Sequence, residues 1–224
     1  MRNYRQQGYL AIICIVLLLT FAESRADDTS CESTEYELMS LLINAEYETV
    51  FSLILINPET EEWCLGGNLG VLLETWPELK SETIDALIVN NRGTTCKLDE
   101  RFRIPVEYRL MSEQEYIKVL QGGRTLKAGG ASDATGMQQS TSADDAAEPN
   151  WDNFDSVFPD AQGYLTFSRA GFDSESTQAL LIFSNSYRCS GVRLRPGTRK
   201  IAFFMKRKGT WELVGISRGI ASMY

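Results

Sequence analysis

The chain contains no histidine. That absence removes the usual general base near neutral pH, the Ser-His-Asp and Cys-His relays, and every imidazole metal site. Serines are plentiful, but neither a G-x-S-x-G elbow nor an S-x-x-K pair marks one as a nucleophile. Carboxylates remain. Asp155, Asp160, Asp173 and Glu175 could supply the acid and base of a glycosidase-like pair, yet they fall in expected loops and helix ends, where acids are commonly solvated or capping. No catalytic residue, metal ligand or cofactor is assigned.

Arginines are the more specific signal. Leu165, Phe167 and Arg169 share one face of an expected strand, with Tyr164, Thr166 and Ser168 on the other. If Phe167 points inward, Arg169 is aimed at the core or its rim, where a guanidinium needs a carboxylate or carbonyl partner. Asp173 or Glu175 in the following turn, or an acid from a helix packed on the sheet, could be that partner; an anionic ligand is the functional alternative. Arg188, Arg193, Arg195, Arg199 and Lys200 form a basic cluster at a later hairpin. It could hold an anion or an acidic partner, or it could be a solvated hairpin shielding sheet edges. The candidate binding residues are thus Ser168, Arg169 and Arg188.

These residues must be positioned by the stretch from Gly163 to Ser217, which reads as four successive strands joined by turns rich in Asp, Ser, Gly and Arg. Upstream, Thr34 and Glu37 fit a capping box for a helix over Glu35–Tyr47. Val50–Ile56 is apolar and β-branched, a buried strand closed by Asn57-Pro58. A loop from Pro58 to Gly70 tucks Trp63 onto the core, or lines a pocket with it. Ser81 opens a helix to about Val89, stopped by Asn90-Asn91-Arg92-Gly93. Val106–Leu110 alternates as a half-wet strand, and Ser112 with Glu115 forms a capping box for a short helix. Trp151, Phe154 and Phe158 are spaced for one face of a helix pinned to the core, the alternative being a sugar platform. Between Gly122 and Asn150 the composition shifts to Gly, Ala, Ser, Thr and Asp, too poor in large apolar residues to offset the entropy of ordering; it is read as a disordered insertion.

Residues 1–26 read as a signal peptide: Arg2 and Arg5, an apolar run from Leu10 to Ala22, then Ser24-Arg25-Ala26 as a cleavage site. A permanent anchor would require a longer run. Cleavage removes three basic residues and one acidic one, taking the net charge from −8 to −10. An acidic chain is poorly suited to nucleic acid or to an anionic membrane surface. Cys31, Cys64, Cys96 and Cys189 remain, an even number behind an export signal, which argues for two disulfides. Three connectivities are open; the favoured one is Cys64–Cys96 with Cys31–Cys189.

Ser168-Arg169-Ala170-Gly171-Phe172, Gln178–Leu181, a turn with Cys189 and Gly191, and Gly209–Val214 together resemble a family of secreted bacterial proteins of no assigned function. Its members end in a sheet with an SRxGF strand and a Gly-x-Trp hairpin. The resemblance extends more weakly to Glu35–Asn44 and Ser81–Leu110. It implies a fold type, a secreted address and no long insertion near residue 122; it carries no catalytic residues. The expected architecture is a single α+β domain over 27–224, with N-terminal helices packed on a mostly antiparallel sheet ending in a four-stranded meander. The expected function is non-catalytic binding of an unknown protein or small molecule in the periplasm or outside the cell. Carboxylate-dependent hydrolysis of a glycan-like polymer, or action as an acidic inhibitor or immunity-type protein, are the alternatives.

Overall fold

Continuous apolar runs, whose successive side chains point to opposite faces, determine how the sheet is sandwiched. A computed structural model describes residues 30–47, 52–63, 70–122, 150–186 and 199–218. Its strands are β1 (Leu53–Ile56), β2 (Glu107–Leu110), β3 (Ala161–Phe167), β4 (Gly171–Phe172), β5 (Gln178–Ser186), β6 (Lys200–Arg207) and β7 (Thr210–Arg218). They form one sheet in the order β2-β1-β3-β5-β6-β7, with β4 pairing β5. β1 runs parallel to both β2 and β3, whereas β3, β5, β6 and β7 form the antiparallel meander. A Leu-Ile-Leu-Ile strand with neighbours on both sides and layers on both faces has no wet side, which is why β1 does not alternate. The edge strand β2 does alternate. β6 turns into β7 through Lys208 and Gly209, both at positive φ (51° and 85°), the backbone a two-residue hairpin needs to match strand twist.

The two sheet faces are dressed differently. On one lies α1 (Ser33–Tyr47), whose Leu38, Met39, Leu42 and Ile43 share a core with Ile54, Ile56, Leu165, Phe167, Leu181, Phe183, Ala202 and Phe204. On the other lie α2 (Gly70–Thr75) and α3 (Ser81–Asn90). Leu72, Trp76 and Leu87 pack there on Leu180, Ile182, Ile201 and Phe203. The parallel end of that face is covered by α4 (Glu113–Leu120) and α5 (Trp151–Val157), with Tyr116, Leu120, Phe154 and Phe158 against Leu55 and Tyr164. Successive residues of β5 and β6 thus fall into different clusters, as the period of two requires.

Helix ends show where local rules held. Ser112 and Glu115 make the expected capping box: Ser112 Oγ accepts the Glu115 N–H (3.3 Å) and Glu115 Oε2 accepts the Ser112 N–H (2.9 Å). Asn150 caps α5, and Phe154 is buried, consistent with a pinned helix. Trp63 is buried as well. α1 departs from expectation. It begins at Ser33, and Glu35 rather than Glu37 reaches back, accepting the Glu32 N–H at 3.0 Å. Nor is Ser81 a cap: that place belongs to Lys80, which makes no side-chain cap bond but donates its N–H to Gln178 Oε1 (2.8 Å). At α3 a tertiary partner replaces the local one; at α1 the bond stays local and is shifted by two residues.

The favoured disulfide pairing is corrected. Cys31 bonds to Cys96, with Cα atoms 5.0 Å apart, so neither Cys64–Cys96 nor Cys31–Cys189 stands. The Cys31 N–H bonds to Lys97 O, and the Cys96 N–H to Thr60 Oγ1, which lays the N-terminal segment beside residue 96. Nothing in local spacing anticipates that strand-like contact. Cys64 and Cys189 lie outside the described residues, as do residues 1–29, 123–149 and Arg188.

Candidate functional site

The stretch G-Y-L-T-F-S-R-A-G-F-D is not one strand. β3 ends at Phe167 and β4 begins at Gly171; the three residues between form a buried clasp. Ser168 is fully buried, its Oγ accepting the Ile182 N–H (2.9 Å) and donating to Arg169 O. Arg169 Nε meets Glu35 Oε1 at 2.9 Å, and the Ala170 N–H donates to the same oxygen at 3.0 Å. Glu35 comes from α1, so the partner is an acid on a packed helix, one of the options the strand parity left open. Its side chain is 1% exposed, that of Arg169 18%.

From the opposite face α3 grips the same residues. Asn91 Oδ1 accepts the Arg169 N–H and its Nδ2 donates to Arg169 O (3.0 Å), while Asn90 Nδ2 donates to Ala170 O (2.8 Å). Gly171 lies so close to α3 that a Cβ there would sit 2.2 Å from the Leu87 nitrogen. Residues 168–171 are thus where helices from both faces fasten to the sheet. Ser168 and Arg169 are brought together, but inside the fold.

The acids singled out for catalysis do not converge. Asp155 and Asp160 are exposed. Asp173 is buried in its own turn, accepting the N–H groups of Thr177 and Gln178 (2.6 and 2.7 Å), Thr177 Oγ1 (2.7 Å) and Lys80 Nζ (2.7 Å). Burial alone would raise its pKa, but the bonds from Lys80, Thr177 and Gln178 outweigh it and hold the carboxyl at about 2. Glu175 shares Lys80 at 3.1 Å. This is a turn-stabilising cluster.

An open site lies along the outer side of α1. Arg101-Phe102-Arg103-Ile104 alternates: Phe102 and Ile104 enter the α1-side core, and both arginines line a cleft of about 630 Å³. Ser33, Thr34, Tyr36, Glu37, Ser40, Leu41 and Asn44 of α1 line it as well. Two α1 residues one turn apart hold the Arg103 peptide: Ser40 Oγ accepts its N–H (3.0 Å) and Asn44 Nδ2 donates to its carbonyl (3.4 Å). Arg101 is held rigidly, with Nε on Asp99 (2.7 Å), Nη2 on Cys31 O (3.1 Å) and its guanidinium over the Tyr36 ring at 4.2 Å. Burial pushes the Tyr36 phenol up, and the Arg101 hydrogen bond holds Asp99 below the usual carboxylate range. Among the described residues, neither the Arg103 guanidinium nor the Glu37 carboxylate has an ion-pair partner, and both are exposed. The R-F-R-I alternation was the sequence signal for this wall; only α1 packing beside it makes a cleft.

A second set of acids stands near the carboxyl ends of β1 and β3. Glu61 takes the Trp63 Nε1–H at 2.9 Å and donates its N–H to Phe167 O. Burial raises its carboxyl pKa, a shift to which the Glu113 charge adds and which the Trp63 and Asn57 bonds oppose. Cys31, Glu35 and Cys96 bring three potential metal-ligand atoms within 4.8 Å of one another, but the disulfide uses both sulfurs and Arg169 and two backbone N–H groups engage Glu35. The residues therefore do not fit a metal in the oxidised protein.

Comparisons of the chain with protein-family models, with curated proteins and with solved structures found no match.

Proposed function

We propose that this is an exported, non-catalytic binding protein that takes its ligand in the cleft along α1, through an anionic group met by Arg103 and Arg101. One observation carries the reading. A chain of net charge −8 places two arginines side by side in a concave site of small-molecule size, one with no ion-pair partner among the described residues. Arg101 is already oriented by Asp99, Tyr36 and Cys31, so little side-chain entropy is lost on binding. Export is supported by the basic, apolar and small-residue pattern of residues 1–26 and by the Cys31–Cys96 bond, which suits an oxidising compartment. Among the described residues no helix is long and apolar enough to cross a membrane. The resemblance to secreted bacterial proteins ending in an SRxGF strand and a Gly-x-Trp hairpin belongs to the same proposal.

The test is an amide NMR titration of residues 27–224 with acetate and with inorganic phosphate. Shifts should concentrate at Ser33, Thr34, Arg101 and Arg103 and should vanish in Arg103→Gln. Equal shifts scattered over the surface, or none at the cleft, would reject the reading. Hydrolysis of a glycan-like polymer is favoured by one feature only, the raised Glu61 carboxyl beside the Glu113 charge. A loss of turnover in Glu61→Gln on polysaccharide substrates would support it.

A further inference from the structure

The charges of the cleft are not all of one sign. Arg101 and Arg103 stand on the wall formed by residues 101–103, and Glu37 stands on the α1 wall with the hydroxyls of Ser33 and Thr34 and the apolar Leu41. Glu37 and Arg103 face the same space without bonding to each other. A plain anion that reached Arg103 would be repelled by Glu37, and a plain cation by Arg103, since Arg101 is already paired with Asp99 at 2.7 Å. A polyanion would meet the acidic remainder of the chain as well. A ligand that carries both charges satisfies both walls.

We infer that the ligand of the α1 cleft is a small zwitterion, a carboxylate and an ammonium joined by a short linker, as in an amino acid or a short peptide. The inference rests on the reading of this cleft as the binding site. The carboxylate is taken by the Arg103 guanidinium with Arg101 behind it, a fork suited to two oxygens. The ammonium is taken by Glu37, with Ser33 and Thr34 hydroxyls beside it, and the linker crosses Leu41 and the edge of Tyr36. Glu37→Gln and Arg103→Gln alter exposed side chains, so the fold is retained; the first removes the charge of the α1 wall and the second the cation of the opposite wall that is not bonded to an acid among the described residues, Arg101 staying on Asp99.

Isothermal titration of residues 27–224 with glycine, β-alanine, 4-aminobutyrate and 6-aminohexanoate, and with acetate and ethylammonium as single-charge controls, tests this directly. One member of the series should bind about tenfold tighter than acetate, a difference of about 1.4 kcal/mol. Glu37→Gln should reduce that ligand to the affinity of acetate while leaving acetate binding intact or improved; Arg103→Gln should abolish both. If acetate binds wild type as tightly as the best zwitterion, or Glu37→Gln changes nothing, the zwitterion inference is overturned while the anion-binding site stands. If neither acetate nor any zwitterion binds, both fall together. Melting curves of each variant confirm that the fold is intact.

Discussion

Replacing Arg169 by Met probes the clasp that joins both helical layers to the sheet. Glu35 is almost wholly buried and accepts the Arg169 Nε–H, the Ala170 N–H and the Glu32 N–H. The Met variant removes the one cation that pairs with this carboxylate among the described residues. Breaking a buried pair by deleting one partner costs about 3–5 kcal/mol. Because Glu35 keeps two backbone donors and the Arg169 side chain is 18% exposed, the lower end, about 3 kcal/mol, is expected. For a domain of this length each kcal/mol moves the midpoint by roughly 2–4 °C, so Tm should fall by about 6–12 °C. Urea unfolding of residues 27–224 followed by tryptophan fluorescence gives the free energy. A double-mutant cycle with Glu35→Gln separates the pair from its surroundings: the second substitution should cost much less in the presence of the first. Arg169→Met unfolding within about 0.5 kcal/mol of wild type, the range of an ordinary surface substitution, would refute the buried-pair reasoning.

Four other outcomes are expected. Gly171→Ala drives a Cβ against the Leu87 backbone, 2.2 Å from its nitrogen, so it should destabilise by about 3 kcal/mol, the upper range for overpacking; a variant with the wild-type urea midpoint would mean α3 moves freely. Asp173 has a folded pKa of about 2 against an ordinary 3.8, so its contribution is present above pH 4 and drains away as the pH falls from about 4 toward 2; acid titration of stability should lose that slope in Asp173→Asn. Peptide mapping without reduction should recover Cys31 joined to Cys96, and Cys31→Ser with Cys96→Ser should cost about 4 kcal/mol for a closed loop of 65 residues; recovery of Cys64 joined to Cys96 is the contrary result. N-terminal sequencing of exported protein should begin at or near Asp27, and a mature chain that keeps Arg2 and Arg5 would end the signal-peptide reading.

Features governed by a short period were legible without the fold. The meander shows in the apolar runs of β5 and β6 and the Lys208-Gly209-Thr210 turn before Trp211, the cap of α4 in Ser112 and Glu115, and the buried role of Phe154 in helical spacing. The requirement that Arg169 find a carboxylate or carbonyl partner was legible too, because an arginine on the same face as Leu165 and Phe167 cannot remain unpaired inside. The site was less so. Ser168 and Arg169 carry the right chemistry for binding, yet Ser168 is spent on the β5 backbone and Arg169 on joining helices to the sheet, and the open arginines lie elsewhere.

Backbone propensity and side-chain period act over a few residues, and the sequence by itself determined what they govern: most of the strands, the cap of α4, the absence of histidine chemistry and the acidic charge. Which distant surfaces meet depends on how whole faces pack, and only the tertiary structure decided that. It set Glu35, not Asp173 or Glu175, against Arg169 across 134 positions, because α1 rather than the next turn covers that face of β3. It gave Asp173 to Lys80, brought Cys31 beside Cys96, and paired β1 in parallel on both sides. It also turned Arg101 and Arg103 from an unremarked alternation into one wall of a cleft, since a guanidinium becomes part of a site only when another element stands opposite it.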